Sequence, residues 1–466
     1  MNHLYPPLSL LNSVVYVEKE FSVKIIDQRI DSNWKKHLLE ELMDGPLCVG
    51  ITSLTGEQVG AALKVTEFIK AESSVPIVWG GAHPSILPQQ TLSHPCIDYV
   101  IEGEGEIALY ELVMNLANNG SFEKIRGLWY KEDDIIRNNP PAEPIDLNAL
   151  PDPPYHLLDI EKYILRFDNR RMFVLESSRG CPNKCAFCCV QKSKSLQKWR
   201  GLTAENTIAK IKHFKDNYDI EGVELLDIEC FVDIDRIKKF SKLLIEEDMQ
   251  IFWNANARIT DILKLDQEAI KHLEKSGLRR LAVGVESGSD RMLKMINKGI
   301  TINQVMEASR KLLKTSIHPY YSFIAGFPTE TESELKMTTE LIMKLLKDNP
   351  RAKVSVFHCF RPLPGTRLYD LCIEKGLRVP AKLRDWACYD MGKIDYPWLS
   401  PRMQMKISAL HFLSLFIDRK YEEIDSLPVK VFAKLYKGLA RYRFEHYDFR
   451  FFVEPYFKQI FLKIRR

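Results

Sequence analysis

Residues 177–192 have the sequence SSRGCPNKCAFCCVQK, in which Cys181, Cys185 and Cys188 follow the spacing C-x3-C-x2-C. A structural zinc site takes four ligands, often from two CxxC-like pairs, and the cysteines outside this segment are scattered. Cys189 is a poor fourth ligand because adjacent side chains diverge. Cysteine thiolates hold the irons of clusters, normally four of them. Three close thiolates therefore favour a [4Fe–4S] cluster with one iron left free for a small molecule, and the alternatives are buried structural cysteines or a zinc loop.

The composition around this segment is that of a globular protein. The 466 residues allow roughly two to four domains of about 150 residues each. Apolar residues make up 45% and charged residues 27%, which excludes disordered, collagen-like and disulfide-scaffold classes. The net charge of +4 gives no reason to expect a nucleic-acid partner. No signal peptide or transmembrane segment is recognisable, so we expect a cytoplasmic protein with reduced cysteines.

The first part of the chain alternates short apolar runs with amphipathic segments. Such alternation predicts a doubly wound, Rossmann-like α/β domain, which we assign to residues 1–139. The predicted strands are 23–26, 48–51, 77–79 and 99–101, the predicted helices are 57–71 and 106–117, and a hairpin is predicted at 128–130 and 135–137.

A proline-rich linker is expected at residues 140–166. Six prolines fall within residues 140–154, and proline fits neither a helix interior nor a central strand. Behind the linker, residues 167–370 hold six strand–helix units, which predict a partial (β/α)6 barrel with its site at the carboxyl ends of the strands. Residues 371–466 are expected to be mainly helical. The barrel strands are predicted at 173–177, 223–227, 252–256, 281–285, 320–324 and 354–357.

The cysteine segment and the barrel pattern together resemble the radical S-adenosylmethionine (SAM) superfamily. The C-x3-C-x-Phe-C signature of that superfamily stands here as Cys181, Cys185, Phe187 and Cys188. The resemblance implies that the three cysteines hold a [4Fe–4S] cluster, that SAM binds its free iron, and that the reduced cluster splits SAM to a 5′-deoxyadenosyl radical. Three further segments match in chain order: GVESGS (284–289), FIAGFPTE (323–330) and PLPGT (362–366).

Two of these segments carry residues that the resemblance implies for SAM binding. Glu286 and Ser287 would contact the ribose, with an ion pair of Glu286 to a nearby Lys or Arg as the alternative. Ile324 and Gly326 would lie beside the adenine. A glycine-containing segment alone is a weak signal because glycines usually serve turns. The position of both segments at successive strand ends is what favours a binding site.

Polar residues also follow the second and third barrel strands. Asn254, Asn256 and Arg258 share one face of their strand by the period of two, which indicates either a polar ligand inside the barrel or a plain polar rim. At the end of the second strand, Asp227 matches the family pattern, which implies that it contacts SAM. The residues that follow it, 228–230, depart from that pattern.

Three segments of the N-terminal domain are rich in glycine or hydroxyl groups: ITSLTG (51–56), WGGAHPS (79–85) and EGEGE (102–106). Such loops at the carboxyl edge of a parallel sheet form a ligand crevice. They resemble the cobalamin-binding domain fused to many radical SAM enzymes. No Asp-x-His-x-x-Gly segment is present, so we expect no histidine ligand to cobalt. The candidate cofactor-binding residues are Ser53, Leu54, Thr55, Gly80, Gly81, His83, Glu102, Gly103 and Glu104.

Two residues of these loops have alternative interpretations. His83 is expected to shape its loop rather than bind a metal. Leu54 is either an apolar cap on the lower face of cobalt or a buried core residue. The C-terminal segment 441–466 mixes aromatic and basic residues, which suggests helices packed on the barrel, with a membrane surface or RNA as the alternatives.

The function that the resemblance implies is that of a cobalamin-dependent radical SAM enzyme. We expect it to use a [4Fe–4S] cluster, SAM and cobalamin to methylate an unactivated carbon of a small molecule or peptide. An external electron donor such as flavodoxin or ferredoxin is implied. The alternatives are a radical cyclisation or rearrangement with the same cofactors, and a non-catalytic iron–sulfur protein.

Overall fold

The computed structural model describes residues 4–167, 170–389, 394–418 and 426–465. Its N-terminal part is a five-stranded sheet in the order β1-β2-β3-β4-β5, in which β1 to β3 are parallel and β4 and β5 form an antiparallel hairpin. The strands are β1 Val49–Thr52, β2 Ile77–Gly80, β3 Tyr99–Ile101, β4 Leu128–Glu132 and β5 Ile135–Asn138. The helices are α1 Leu8–Ser13, α2 Trp34–Met43, α3 Glu57–Glu72, α4 Ala82–Ile86, α5 Pro88–Leu92 and α6 Glu106–Asn118.

The predicted strand at residues 23–26 is wrong. These residues form an irregular segment, although Ile26 still packs against the core. The neighbouring Asp27 accepts a hydrogen bond from Tyr163 at 2.9 Å, so the segment is tied to the linker rather than to a sheet. The helix predicted at 57–71 is confirmed as α3, in which Val59, Leu63 and Ile69 are buried on one face, as the helical period requires.

The second part of the chain is a larger sheet in the order β14-β13-β12-β11-β10-β7-β6, with β15 also paired to β13. Its strands from β7 to β14 are parallel, and this confirms the predicted fold class of a partial barrel. The strands are β6 Leu165–Phe167, β7 Arg170–Leu175, β10 Gly222–Leu225, β11 Phe252–Ala257, β12 Leu278–Glu286, β13 His318–Ala325, β14 Lys353–Val354 and β15 His358–Cys359, and β8 Ser178–Arg179 pairs separately with β9 Arg200–Gly201.

Of the sixth predicted barrel strand, 354–357, only Val354 lies in a strand, at the end of β14. Both β14 and β15, which begins just after the predicted range, pair with β13. Between them the backbone N–H of Phe357 donates to the hydroxyl of Ser414 at 2.9 Å. A strand cannot continue where a side chain from a helix takes the ladder donor, and the sequence pattern of 354–357 carries no sign of that helix.

Most helices of the barrel begin at side-chain caps. Thr203, Asp233, Thr301, Thr331 and Thr366 each accept a hydrogen bond from a backbone N–H of the first turn, which satisfies a group that the helix itself leaves open. The helices are α7 Lys194–Gln197, α8 Ala204–Tyr218, α9 Ile234–Glu246, α10 Ile259–Lys264, α11 Gln267–Lys275, α12 Asp290–Met295, α13 Ile302–Leu312, α14 Glu332–Asp348 and α15 Arg367–Glu374.

The C-terminal part joins the two domains. Its 3-10 helix Leu383–Cys388 packs on α3 so closely that a Cβ on Gly60 would lie 2.9 Å from the Cβ of Ala387. Helices α16 Pro401–Leu413, α17 Leu427–Glu445 and α18 Glu454–Arg465 follow, and one hydrophobic cluster runs from Trp79 through Trp253 to Phe412. Within the described ranges, no helix is both long and apolar enough to cross a bilayer.

Candidate active site

The three-cysteine segment leaves the carboxyl end of β7 and crosses the mouth of the barrel. The N–H of Cys181 donates to the carbonyl of Leu196 at 2.8 Å, and the N–H of Ala186 donates to the carbonyl of Ile296, also at 2.8 Å. Gly180 has φ +88°, and a Cβ there would lie 2.5 Å from the carbonyl oxygen of Lys198. Only glycine fits such a position without strain. The loop that carries the cysteines is therefore fixed by its backbone at both ends.

A buried guanidinium faces the cysteines. Arg258 follows β11, and its Nη1 lies 3.4 Å from the Sγ of Cys185, while its Nη2 donates to the carbonyl of Lys298. Its Nε is buried without a partner among the described residues. Burial raises the pKa of Cys188 to about 11, so this thiol stays protonated at neutral pH unless a cation replaces its proton. The positive charge beside Cys185 fits a thiolate-bound cluster.

The described residues include no group of three His, Cys, Asp or Glu side chains gathered around one ion position. A single zinc ion would need such a group. In an iron–sulfur cluster each thiolate binds a different iron, so the ligands surround a volume rather than a point.

Strand β12 ends in a strained turn at the predicted ribose segment. Glu286 has φ +75°, and the register of β12 against β13 shifts between Gly284 and Glu286. Its carboxylate accepts a hydrogen bond from the ammonium of Lys298 at 2.6 Å, and both side chains are buried. The structure thus contains the ion pair that the sequence left as an alternative, and the ribose contact stays a prediction. A non-glycine residue in this conformation is typical of functional sites.

Ser287 and the glycine after it pack against helix α14. The hydroxyl of Ser287 lies 3.5 Å from that of Thr338, and the N–H of Gly288 donates to Thr338 at 2.9 Å. A Cβ on Gly288 would lie 2.5 Å from the carbonyl oxygen of Met337. The close approach of α14 explains why a glycine follows Ser287.

The predicted adenine segment forms the turn after β13. Gly326 has φ +90°, its N–H donates to the carboxyl of Glu330 at 2.6 Å, and its carbonyl accepts from the indole of Trp398 at 3.0 Å. Ile324 lies in β13 two residues earlier and is half-buried. Phe187 of the cysteine segment lies near this turn, with its ring 5.9 Å from that of Phe327. The structure therefore brings the cysteine segment and the predicted adenine segment together.

Asp227 holds the start of the cysteine segment. Its two carboxylate oxygens accept hydrogen bonds from the N–H and hydroxyl groups of Ser177 and Ser178, at distances from 2.6 to 3.0 Å. With four donors in place, this carboxylate is already satisfied, which favours a structural role over the predicted SAM contact. On β11, the amide of Asn256 donates to the carbonyl of Asp227 at 2.7 Å, whereas the Oδ1 of the buried Asn254 has no partner among the described residues.

The predicted cofactor loops of the N-terminal domain line one wall of a cavity of about 280 Å³. Gly80, Gly81, Gly103 and Glu104 lie on this wall. Gly81 has φ +98°, and a Cβ there would lie 2.7 Å from the Oγ1 of Thr52. The opposite wall comes from the barrel: Glu176, Ser178, Arg179, Leu196, Leu226 and Ile228. The carboxyl edges of both sheets therefore open into the same space.

His83 shapes its loop as expected. Its Nδ1 is 3.0 Å from the hydroxyl of Thr55, its ring lies 5.5 Å from that of Trp386, and burial lowers its pKa to about 4. Ser53 is fully buried beside it. Leu54, in contrast, is 51% exposed, so the core interpretation of this residue is wrong.

The charged side chains of segment 102–106 make fixed contacts. Glu102 accepts a hydrogen bond from the indole of Trp129 at 2.9 Å, and it lines a second cavity rather than the one between the domains. Glu104 is bound by the guanidinium groups of Arg179 and Arg200 from the barrel. Glu104 is thus part of the contact between the domains, a role that the sequence did not indicate.

Comparison with protein families matches two separate parts of the chain. Residues 4–113 match the B12 binding domain, and residues 175–342 match the Radical SAM superfamily. An uncharacterized methyltransferase of Pyrococcus horikoshii is 32% identical over 95% of this chain and 91% of its own length. The chain belongs to the cobalamin-dependent radical SAM family. It is a radical SAM enzyme, and the predicted set of [4Fe–4S] cluster, SAM and cobalamin is the cofactor set of this family.

Other relatives of this radical SAM enzyme carry out different reactions. The anaerobic magnesium-protoporphyrin IX monomethyl ester cyclase of Rubrivivax gelatinosus is 30% identical over 62% of this chain and 55% of its own length. The fold is that of two solved structures. OxsB, a cobalamin-dependent SAM radical enzyme, superposes with a TM-score of 0.74 at 19% identity, covering 95% of this chain and 69% of its own. The methyltransferase TsrM from Kitasatospora setae superposes with a TM-score of 0.69 at 15% identity, covering 100% of this chain and 97% of its own.

Two buried ionisable residues of this radical SAM enzyme's barrel mouth escaped the sequence analysis. Glu229 lies in the segment that departs from the family pattern, and burial, together with the charge of Asp261, raises its pKa to about 8. Lys298 pairs with Glu286 and offers its carbonyl to Arg258. The departure at 228–230 was the signal for Glu229, whereas Lys298 lies in a stretch without a recognisable motif.

Proposed function

We propose that this radical SAM enzyme methylates an unactivated carbon of a small molecule or peptide. The observation that carries the proposal is the shared cavity, because residues of the B12 binding domain and residues that follow the barrel strands line it from opposite sides. When bound, the cluster supplies the electron that cleaves SAM, and cobalamin supplies the methyl group. A methyl carrier in this cavity would lie at the barrel mouth, where the substrate has to enter.

The chain's own residues bind, orient and shield in this proposal. Cys181, Cys185 and Cys188 hold the cluster, and Arg258 offsets its negative charge. The glycines of the cofactor loops leave room for a flat ligand to approach the backbone. Leu54, which follows β1 and is 51% exposed, is not among the residues that line the cavity, so its role as an apolar cap against cobalt stays a prediction. The reductant is an external protein such as flavodoxin or ferredoxin.

The test starts with anaerobic reconstitution and analysis of iron and cobalt. We expect both to be bound, and we expect the dithionite-reduced enzyme to release 5′-deoxyadenosine from SAM. Cys185→Ala should abolish the cluster and this release, while Cys189→Ala, one residue from a ligand, should keep both. Iron binding without cobalamin uptake would contradict the methylation proposal, and an active Cys185→Ala enzyme would contradict the cluster assignment.

A radical cyclisation or rearrangement is the second candidate. It is favoured by the similarity to the cyclase of Rubrivivax gelatinosus. Mass spectrometry of the product separates the two candidates. A gain of one methyl group from SAM supports methylation, whereas loss of hydrogens or an unchanged mass supports cyclisation or rearrangement.

A further inference from the structure

Helix α17 carries apolar side chains on two opposite faces. The inner face is buried and includes Val429, Ala433, Tyr436 and Ala440. The outer face is exposed, and Leu435 at its centre has 81% of its surface accessible. Spacings of four and three residues put the outer side chains on one stripe, which we call the apolar row. It consists of Leu427, Val431, Leu435, Leu439 and Tyr442.

A row of basic residues follows one edge of the apolar row. Lys430, Lys434, Lys437 and Arg441 have the spacing four, three, four, so they lie together between the buried face and the apolar row. We call these four residues the basic row. The helix therefore has the composition of one that lies in a membrane interface, with an apolar face and lysine and arginine on its polar side.

The charge of the chain is concentrated in the same region. Residues 426–466 hold ten Lys and Arg against three Asp and Glu, an excess of seven positive charges, whereas the whole chain carries +4. Two of the three acidic side chains are engaged locally, because Glu454 pairs with Arg443 and Asp448 pairs with Arg450. The basic row is thus part of a strongly positive end of an otherwise nearly neutral protein.

Helix α18, which packs beside α17, also carries exposed apolar side chains. It packs on α17 through the rings of Tyr436 and Phe457, whose centroids are 4.4 Å apart. Tyr456 and Ile460 of α18 are themselves exposed. Tyrosine with aliphatic neighbours is typical of the level of the lipid headgroups.

We propose that the apolar row, the basic row and the exposed side chains of α18 dock this enzyme on a membrane surface containing anionic phospholipid. Lipid explains both rows, since acyl chains take up the leucines and anionic headgroups attract the lysines. RNA would use the basic row but leave Leu427, Leu435 and Leu439 in water, because aliphatic side chains offer no stacking surface for bases. A second copy of the chain is also a poorer partner than lipid. In an antiparallel two-fold dimer through this face, the basic rows of the two copies would face each other and repel.

Vesicle flotation tests the proposal with the full-length, anaerobically reconstituted enzyme. Vesicles of phosphatidylcholine are compared with vesicles that also contain phosphatidylglycerol, and each is run at about 0.15 M and about 1 M salt. We expect flotation with the anionic vesicles and a marked loss at high salt. Lys430→Gln with Lys434→Gln should weaken binding about 25-fold, since each lysine near such a surface contributes about fivefold.

Leu435→Glu should weaken vesicle binding at least tenfold while its iron content stays unchanged. Met43→Glu is the matched control, because Met43 is 82% exposed on α2, in the N-terminal domain, and it should bind like the wild type. The proposal would be overturned if the enzyme did not float with anionic vesicles, or if it bound neutral vesicles equally well. It would also be overturned if the enzyme formed a dimer that Leu435→Glu abolished. Release from anionic vesicles by competing RNA, with RNA binding unaffected by Leu435→Glu, would overturn it in favour of RNA.

Discussion

Replacement of Arg179 by glutamine is expected to loosen the contact between the B12 binding domain and the barrel. Arg179 lies in β8 of the barrel, and its guanidinium donates to Glu106 at 2.6 Å, to Glu176 at 2.8 Å and to Glu104 at 3.2 Å. Arg200 binds Glu104 from the same side. Burial disfavours the charge on Arg179, but the three carboxylates more than offset this and raise its pKa.

The magnitude follows from the groups that the substitution leaves behind. Removal of one partner from a buried ion pair costs about 3–5 kcal/mol. Glu104 keeps Arg200, and Glu106 lies in the first turn of α6, where the helix dipole stabilises an anion. Glu176 is 29% exposed and also accepts a hydrogen bond from Asn12. We therefore expect about 3 kcal/mol, which is about a hundredfold in the equilibrium between docked and separated domains.

Limited proteolysis of the linker measures this equilibrium. The linker is part of the same contact, since the N–H of Ile145 donates to Glu104 and its carbonyl accepts from Arg200. Thermolysin should cleave between residues 140 and 154 much faster in Arg179→Gln than in the wild type. Arg126→Gln is the matched control. Arg126 pairs with Glu143 of the linker, and both side chains are more than half exposed, so its loss should cost less than about 1 kcal/mol. Equal cleavage of the two variants would refute the argument.

Three further predictions concern the cofactor loops and the barrel mouth. Gly81→Ala should reduce cobalamin retention without loss of iron. The added Cβ would lie 2.7 Å from the Oγ1 of Thr52, and the φ of +98° at this position is strained for alanine. Analysis of cobalt and iron after reconstitution checks this prediction. Burial lowers the pKa of His83 to about 4, so below about pH 6.5 the unfolded chain binds a proton at this residue that the folded chain does not bind. The thermal stability of the protein should therefore fall between pH 6.5 and pH 4. The fall should be less steep in His83→Gln. Lys298→Met should destabilise the protein by about 3–5 kcal/mol because it leaves Glu286 buried and unpaired, and the double variant with Glu286→Gln should recover part of that loss in denaturant unfolding.

The sequence predicted those parts of the structure that depend on local pattern. Strands such as β2 and β3 are short runs of buried residues, and α3 repeats its apolar positions at the helical period. The cysteine spacing needed no tertiary information, since one loop carries all three proposed ligands. The predicted strand at 23–26 failed because an apolar run specifies only that side chains are buried. Whether a sheet edge is available to pair with it depends on distant residues such as Tyr163.

The electrostatic part of the site could not be predicted in this way because it joins residues far apart in the chain. Glu104 looked like a cofactor residue by its place in a glycine-rich loop, but its partner Arg200 lies 96 positions away. Arg258 was found by its period along β11, whereas its contact with Cys185 spans 73 positions. Arg258 is buried and the side chain of Arg200 is 11% exposed, and a cation so poorly hydrated needs anionic or thiolate partners to compensate its desolvation. In the proposed site, a thiolate-bound cluster would place negative charge beside Arg258, whose guanidinium lies 3.4 Å from the Sγ of Cys185. The guanidinium would in turn favour the thiolate form of that cysteine.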